Sequence, residues 1–241
     1  MQANNEIGTI QPISKISKII QKYRREKGSQ YPYMHTDASQ GPCYLDFHLE
    51  KLGVDIVTLD GLKVYGPRGA GLVLKKSNVK ISPVLFGGGQ EFGLRSGTEN
   101  LPSIVGLKEA LVIADKERKT ESKRLEVLRD FCINEILKDF PEATLNGSGE
   151  HRLPNNINIC FPKVDAEFLV IKLDSLGIAT SFSSSCRSKA ENATSYVIEE
   201  LGKDNCASSS LRITLGRFTT KSDLRKLLKS LKEVVSAKTK A

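Results

Sequence analysis

Between Pro12 and Lys75 an amphipathic, helix-length segment is followed by three short apolar runs, and this order restricts the possible folds more than any other feature. Pro12 suits a first helical turn, Ile13, Ile16, Ile20 and Tyr23 fall on one face, and Gly28 is placed to end the helix. Residues 31–39, 53–60 and 69–75 then read as strands. The last two are apolar enough to be buried. A helix feeding short covered strands predicts an α/β domain built on a parallel sheet.

Further on, residues 101–140 form one long helical stretch rich in Ala, Leu, Lys and Glu. Its length predicts a break or kink, with a domain boundary inside it: a large α/β domain over 1–115 and a small α+β domain over 116–241. In the second part, strands are expected at 156–161, 178–181 and 211–215, and helices at 166–176 and 194–201. A final amphipathic helix starts near Thr220, where Thr220 and Asp223 have capping-box spacing and Leu224, Leu227, Leu228, Leu231 and Val235 line one face.

The chain has 241 residues, 39% hydrophobic and 27% charged, ordinary for a globular protein. It contains no apolar run of the ~18–20 residues that cross a bilayer, and its first residues do not read as a secretory signal. A cytoplasmic protein without a membrane partner is expected. The net charge of +8 is spread over runs near Lys22–Lys27, Lys116–Lys123 and Lys226–Lys240 without interleaved aromatics. These are read as solvated helix faces rather than a nucleic-acid surface. Five cysteines at irregular spacing, with no CxxC pair or Cys/His cluster, argue against a zinc site and against a disulfide framework. Most are expected to be buried, reduced thiols.

Two positions have chemical promise by their surroundings. Lys63 lies at the end of an apolar strand in Asp60-Gly-Leu-Lys-Val-Tyr-Gly-Pro-Arg-Gly69, and a lysine held by burial near other cations can act as an amine nucleophile. Cys186 follows a serine-rich run and precedes Arg187 and Lys189, cations that favour thiolate. Cys132 and Cys160 lie in apolar contexts and read as core.

Several motifs occur in order around them: Asn4-Asn-Glu-Ile-Gly-Thr-Ile-Gln-Pro12, His35-Thr-Asp-Ala-Ser-Gln40, the lysine segment, Gly87-Gly-Gly-Gln-Glu91, Arg95-Ser-Gly-Thr98, Ser183-Ser-Ser-Cys186 and Ser209-Ser-Leu-Arg-Ile-Thr-Leu-Gly-Arg-Phe-Thr-Thr220. This series resembles the class V, NifS/IscS-type cysteine desulfurases, pyridoxal 5'-phosphate (PLP) enzymes of the aspartate aminotransferase-like fold, from about Asn4 to the last helix.

The resemblance implies a role for each residue. Lys63 holds PLP covalently, and Asp37 pairs with the protonated pyridine nitrogen. Gln40 and Asn5 bond the cofactor's phenolic oxygen, and Asn5 also helps hold the substrate. Arg212 grips the substrate carboxylate. Thr98 reaches the cofactor phosphate of a partner subunit, implying a homodimer. Cys186 takes sulfur from L-cysteine as a persulfide, leaving L-alanine, and hands it to an iron–sulfur scaffold or another acceptor protein.

The family's Gly-Ala-Thr phosphate loop and ring-stacking histidine belong to a part that precedes the Asn4 motif, so a further N-terminal part is expected. The lysine segment has Asp60 and Leu62 where the family commonly has serine and histidine near the phosphate. Two other readings keep the fold: a truncated, catalytically incompetent relative, and another class V enzyme such as a selenocysteine lyase or an aminotransferase-like protein.

Overall fold

The computed structural model describes residues 1–182 and 194–238. They form two compact units: residues 1–2 with 11–119, and residues 3–10 with 120–241.

In the first unit, α1 (Ile13–Lys27) ends at Gly28, whose left-handed backbone (φ 58°) turns its N–H back onto the Arg24 and Arg25 carbonyls. Arg24, Arg25 and Lys27 complement the helix dipole in the last turn. The buried positions of α1 are Ile13 and Ser17, whereas Ile16 and Tyr23 are exposed, so the inward face is rotated from the one the apolar spacing suggests. The reason is polar: Ser17 Oγ donates to the Gly53 carbonyl at 2.6 Å, and Gln21 Nε2 reaches the same oxygen at 3.0 Å. Ile20 is the further apolar residue of α1 packed on that core.

The sheet has order β1 (His35–Asp37), β2 (Ile56–Asp60), β3 (Gly71–Lys75). β1 pairs parallel to β2, but β2 pairs antiparallel to β3, with Asp60 opposite Gly71. The expected all-parallel sheet is therefore mixed: ten residues connect β2 to β3, too few for the crossover that parallel strands need. β1 is also shorter than expected, because Pro32 has no N–H to give a ladder. Ile13, Met34, Ala38, Leu52, Val54, Val57 and Leu59 fill the core with Leu49 of the one-turn helix α2 (Leu49–Leu52). At its rim, buried Asp55 accepts from Met34 N at 2.8 Å, Arg24 Nη2 at 2.5 Å and Lys76 Nζ at 3.1 Å. Although burial pushes the Asp55 carboxyl up, these bonds hold it down at about 2.

α3 (Leu101–Asp139) is continuous over 39 residues, without the break its length suggested. Its sequence has no proline beyond Pro102 in the first turn, and its apolar positions change register instead of stopping. Leu107 and Ala114 are buried in the first unit; Leu125, Cys132 and Ile136 are buried in the second.

The second unit has an antiparallel sheet, β4 (Thr144–Leu145), β5 (Asn156–Cys160), β6 (Ser210–Thr214), in that order. Every residue of β5 is buried. Its two asparagines are satisfied: Asn156 Nδ2 and Asn158 Nδ2 donate to the Glu6 carbonyl at 3.0 and 3.1 Å, and Asn146 Nδ2 donates to Asn158 Oδ1 at 2.8 Å.

α4 (Ala166–Ser175) and α6 (Lys221–Lys238) contribute Leu169, Leu173, Leu224 and Leu231 to the core. The Thr220–Asp223 capping box forms: Thr220 N donates to Asp223 Oδ2 at 2.9 Å and Asp223 N donates to Thr220 Oγ1 at 3.3 Å. The expected helix over 194–201 is one turn, α5 (Tyr196–Glu199), capped by Ser195. The strand expected at 178–181 reduces to a single bridge between Ser181 and Arg212.

Two cysteines depart from the sequence reading. Cys160 and Cys206 form a disulfide instead of two core thiols, with Cα atoms 5.4 Å apart. Spacing does not reveal it, because the partners are 46 residues apart and meet only when β5 and the turn at 204–206 pack together. Cys43 and Cys132 are free and buried, and burial pushes the Cys132 thiol up to about 12, which removes it as a nucleophile.

Candidate active site

In the first unit, Asp37 is the last residue of β1 and Gln40 lies in the turn that follows. Asp37 Oδ1 accepts from Ser39 N at 2.8 Å, and Gly41 N closes the turn onto the Ala38 carbonyl at 2.7 Å. Partial burial pushes the Asp37 carboxyl up, but the Ser39 hydrogen bonds and the Lys63 charge outweigh it and hold the carboxyl below its ordinary value. Asp37 is thus ionised at neutral pH.

Lys63 sits in a 3-10 turn, Gly61–Val64. Asp60 caps this turn, its carboxylate accepting from Leu62 N at 3.0 Å. At the other end Tyr65 adopts a left-handed conformation (φ 62°) and Gly66 N bonds the Gly61 carbonyl at 2.9 Å. Gly61 is required: a Cβ there would lie 2.6 Å from the Ala70 carbonyl oxygen. Val64 is buried beneath the turn while Lys63 is exposed, so burial does not hold this lysine as the sequence suggested. Thr98 is exposed, just after Gly97, whose N–H bonds Gln90 Oε1 at 3.3 Å.

The second unit holds Asn5 and Arg212. Asn4 shapes the turn that carries Asn5: its Oδ1 accepts from Glu6 N at 2.8 Å and Ile7 N at 2.9 Å. Gly8 (φ 71°) completes it, and a Cβ there would lie 2.5 Å from Asn156 Oδ1. Arg212, on β6, donates from Nη1 to the Asn5 carbonyl and from Nη2 to Ser181 Oγ, each at 3.0 Å. Its Nε is buried with no partner among the described residues. A buried donor left open costs about 1–3 kcal/mol unless a ligand completes it, so this guanidinium is suited to take an anion.

Glu6 was missed by sequence reasoning. It is 1% exposed, and Ser195 Oγ donates to its Oε1. Burial pushes the Glu6 carboxyl up, opposed by the Ser195 bond and the Arg212 charge. A glutamate between Asn5 and Ile7 carries no local sign of burial, since its partners come from residues far along the chain. Cys186 lies outside the described residues. Among the described residues, no group of His, Cys, Asp and Glu side chains could hold a metal ion, and no helix is long and apolar enough to cross a membrane.

Comparison with known proteins gives a consistent picture. Residues 1–227 match the aminotransferase class-V family. Cysteine desulfurase IscS 1 of Archaeoglobus fulgidus is 42% identical over 234 residues, 97% of this chain and 59% of the relative. A NifS-like protein of known structure superposes with a TM-score of 0.86 at 34% identity, covering 98% of this chain and 60% of that one. SspA in complex with cysteine has a TM-score of 0.67 at 29% identity, covering 91% of this chain and 58% of that one. The chain spans about 59% of the length of the curated relative.

Proposed function

Because the chain belongs to the class V aminotransferase family, we propose that it carries much of the active site of a PLP-dependent cysteine desulfurase. The observation that supports this reading most is Asp37, kept ionised at the end of β1 beside the charge of Lys63. A carboxylate and an accessible primary amine in one unit fit a pyridinium ring bearing an aldehyde. Bound PLP supplies an electron sink for carbanion chemistry at the substrate's α-carbon.

The chain's own residues then divide the work. Lys63 holds the cofactor covalently through Nζ, and Asp37 keeps the proton on the ring nitrogen. Gln40 and Asn5 bond the phenolic oxygen, and Arg212 receives the substrate carboxylate. Thr98 serves the cofactor phosphate of a second subunit, which makes the working form a homodimer. The C–S bond of L-cysteine breaks, its sulfur joins the Cys186 thiolate as a persulfide, and the substrate carbon gains a proton to leave as L-alanine. An iron–sulfur scaffold or another acceptor protein takes the persulfide. In this reading 1–115 is part of the large cofactor domain and 116–241 the small domain, and a further part of the fold supplies the phosphate loop and the ring-stacking histidine. The cytoplasm is the compartment that this reading assigns, where the Cys160–Cys206 pair would stand as two reduced thiols.

A non-catalytic relative is the second reading, favoured by one observation: the carboxylate capping the lysine turn belongs to Asp60, at a position near the phosphate in the resemblance. The test is incubation with PLP and L-cysteine, reading alanine and the persulfide at Cys186 by mass spectrometry. The desulfurase reading predicts both products, loss of both in Lys63→Ala, and loss of persulfide in Cys186→Ser. Alanine release that survives Lys63→Ala contradicts it.

A further inference from the structure

The Cys160–Cys206 disulfide lies against the turn that carries Asn5. Cys160, the last residue of β5, is fully buried, whereas Cys206 is 9% exposed at the end of the 3-10 turn Asp204–Cys206. Both pack with Ile7, Ile198 and Ala207 in one buried cluster. Ile7 N donates to Asn4 Oδ1 at 2.9 Å, and the same turn offers the Asn5 carbonyl to Arg212 Nη1 at 3.0 Å. Two polar routes add to this packing. The Ala207 carbonyl accepts from Ser195 N at 3.1 Å, and Ser195 Oγ donates to the Glu6 carboxylate. The Cys206 carbonyl accepts from Ser210 Oγ at 2.6 Å, and that oxygen accepts from Asn146 Nδ2 at 2.8 Å. Asn146 Nδ2 also donates to Asn158 Oδ1, and Asn158 Nδ2 donates to the Glu6 carbonyl at 3.1 Å. Two thiols cannot lie as close as two bonded sulfurs. Reduction therefore moves Cys206 off β5 within a close-packed cluster, and Ile7 and its turn must give way.

We propose that Cys160 and Cys206 are a thiol–disulfide switch for the Asn5–Arg212 half of the site: oxidised, they hold the Asn4–Gly8 turn to Arg212, and reduced, they release it. The thiolate of a small thiol attacks Cys206, the sulfur nearer the surface, and expels the Cys160 thiolate. A second small thiol then frees Cys206, leaving two protein thiols, which take up the protons of the incoming pair, and one small-molecule disulfide. Glutathione disulfide, an oxidant of the same class, runs the exchange backwards. The meaning for the reaction rests on Asn5 and Arg212 serving cofactor and substrate as proposed above; the linkage does not.

The test is 15N relaxation on the chain without PLP or L-cysteine, so its outcome is independent of desulfurase activity. Reduction by dithiothreitol is expected to lower the order parameters of the Asn5, Glu6 and Ile7 amides and of the Arg212 Nε–H from about 0.85 to below about 0.6. The Leu224–Leu231 amides of α6 should keep their rigid values. Order parameters report the folded chain, so a fall in overall stability on reduction does not imitate the effect. Glutathione disulfide should restore the wild type, and Cys206→Ser should show the mobile turn with or without dithiothreitol. Unchanged order at 5–7 after reduction, a loss shared by α6, a turn that glutathione disulfide does not restore, or a rigid turn in Cys206→Ser overturns the proposal. Should Cys206→Ser fail to fold, the reduced and reoxidised wild type decides it.

Discussion

The two units present their candidate residues in opposite ways. In the first, Lys63 and Asp37 are exposed, on a three-stranded sheet and a capped turn, and Val84, Phe86 and Phe92 are 87%, 82% and 98% exposed. In the second, Arg212 is fixed to Asn5 and Ser181, Glu6 is buried, and a fully buried strand lies behind them. The second unit sets its charged groups with its own chain, whereas the first leaves its candidate groups and much apolar surface open. A site can thus be half built at very different costs: buried charges demand partners at once, while exposed ones can wait for a ligand or for more protein.

The largest effect that would sharpen this contrast lies in the second unit. A crosslink between residues 46 apart restrains the unfolded chain by about 4 kcal/mol, so reducing Cys160–Cys206 should cost stability of that order in urea unfolding. Thiol titration of the denatured, unreduced protein should then find Cys43, Cys132 and Cys186 alone. The first unit answers through Asp55. Asp55→Ala leaves Arg24 and Met34 N without their shared acceptor and should cost about 3 kcal/mol. A cost below that of a surface substitution would show the first unit to be as open at its rim as at its candidate site.

Acid should act on the same group. The folded Asp55 carboxyl is held at about 2, below its ordinary 3.8, so its contribution is complete above pH 4 and is lost as pH falls towards 2. That loss amounts to about 2 kcal/mol and should be missing in Asp55→Asn. The smallest expected effect concerns the lysine turn. Asp60→Ser keeps a capping oxygen but removes the charge, and should tighten PLP binding several-fold, roughly 1 kcal/mol, without altering the affinity for unphosphorylated pyridoxal. Equal gains for both ligands would mean that Asp60 acts on the turn alone.

Much of this was legible in the sequence. The capping pair Thr220 and Asp223, the Gly28 stop, and the order of helices and strands follow from spacing and local chemistry. The α/β class and the family followed from motifs such as Asn4-Asn-Glu-Ile-Gly and the lysine segment. What local pattern did not carry is contact between distant residues. Ser17 turned α1 by reaching the Gly53 carbonyl, and Cys160 met Cys206. Glu6 found Ser195 across 189 residues. The long α3 misled for a related reason: a helix that serves two cores changes its apolar register, which looks like a break when only periodicity is read.

The central claim, that Lys63 and Asp37 form the cofactor half of a desulfurase site, is tested most directly by adding PLP and recording absorbance before and after borohydride. The account predicts a visible band that borohydride removes, a reduced pyridoxyl mass on the Lys63 peptide, and neither in Lys63→Ala. No band in the wild type, or an unchanged band in Lys63→Ala, would contradict it.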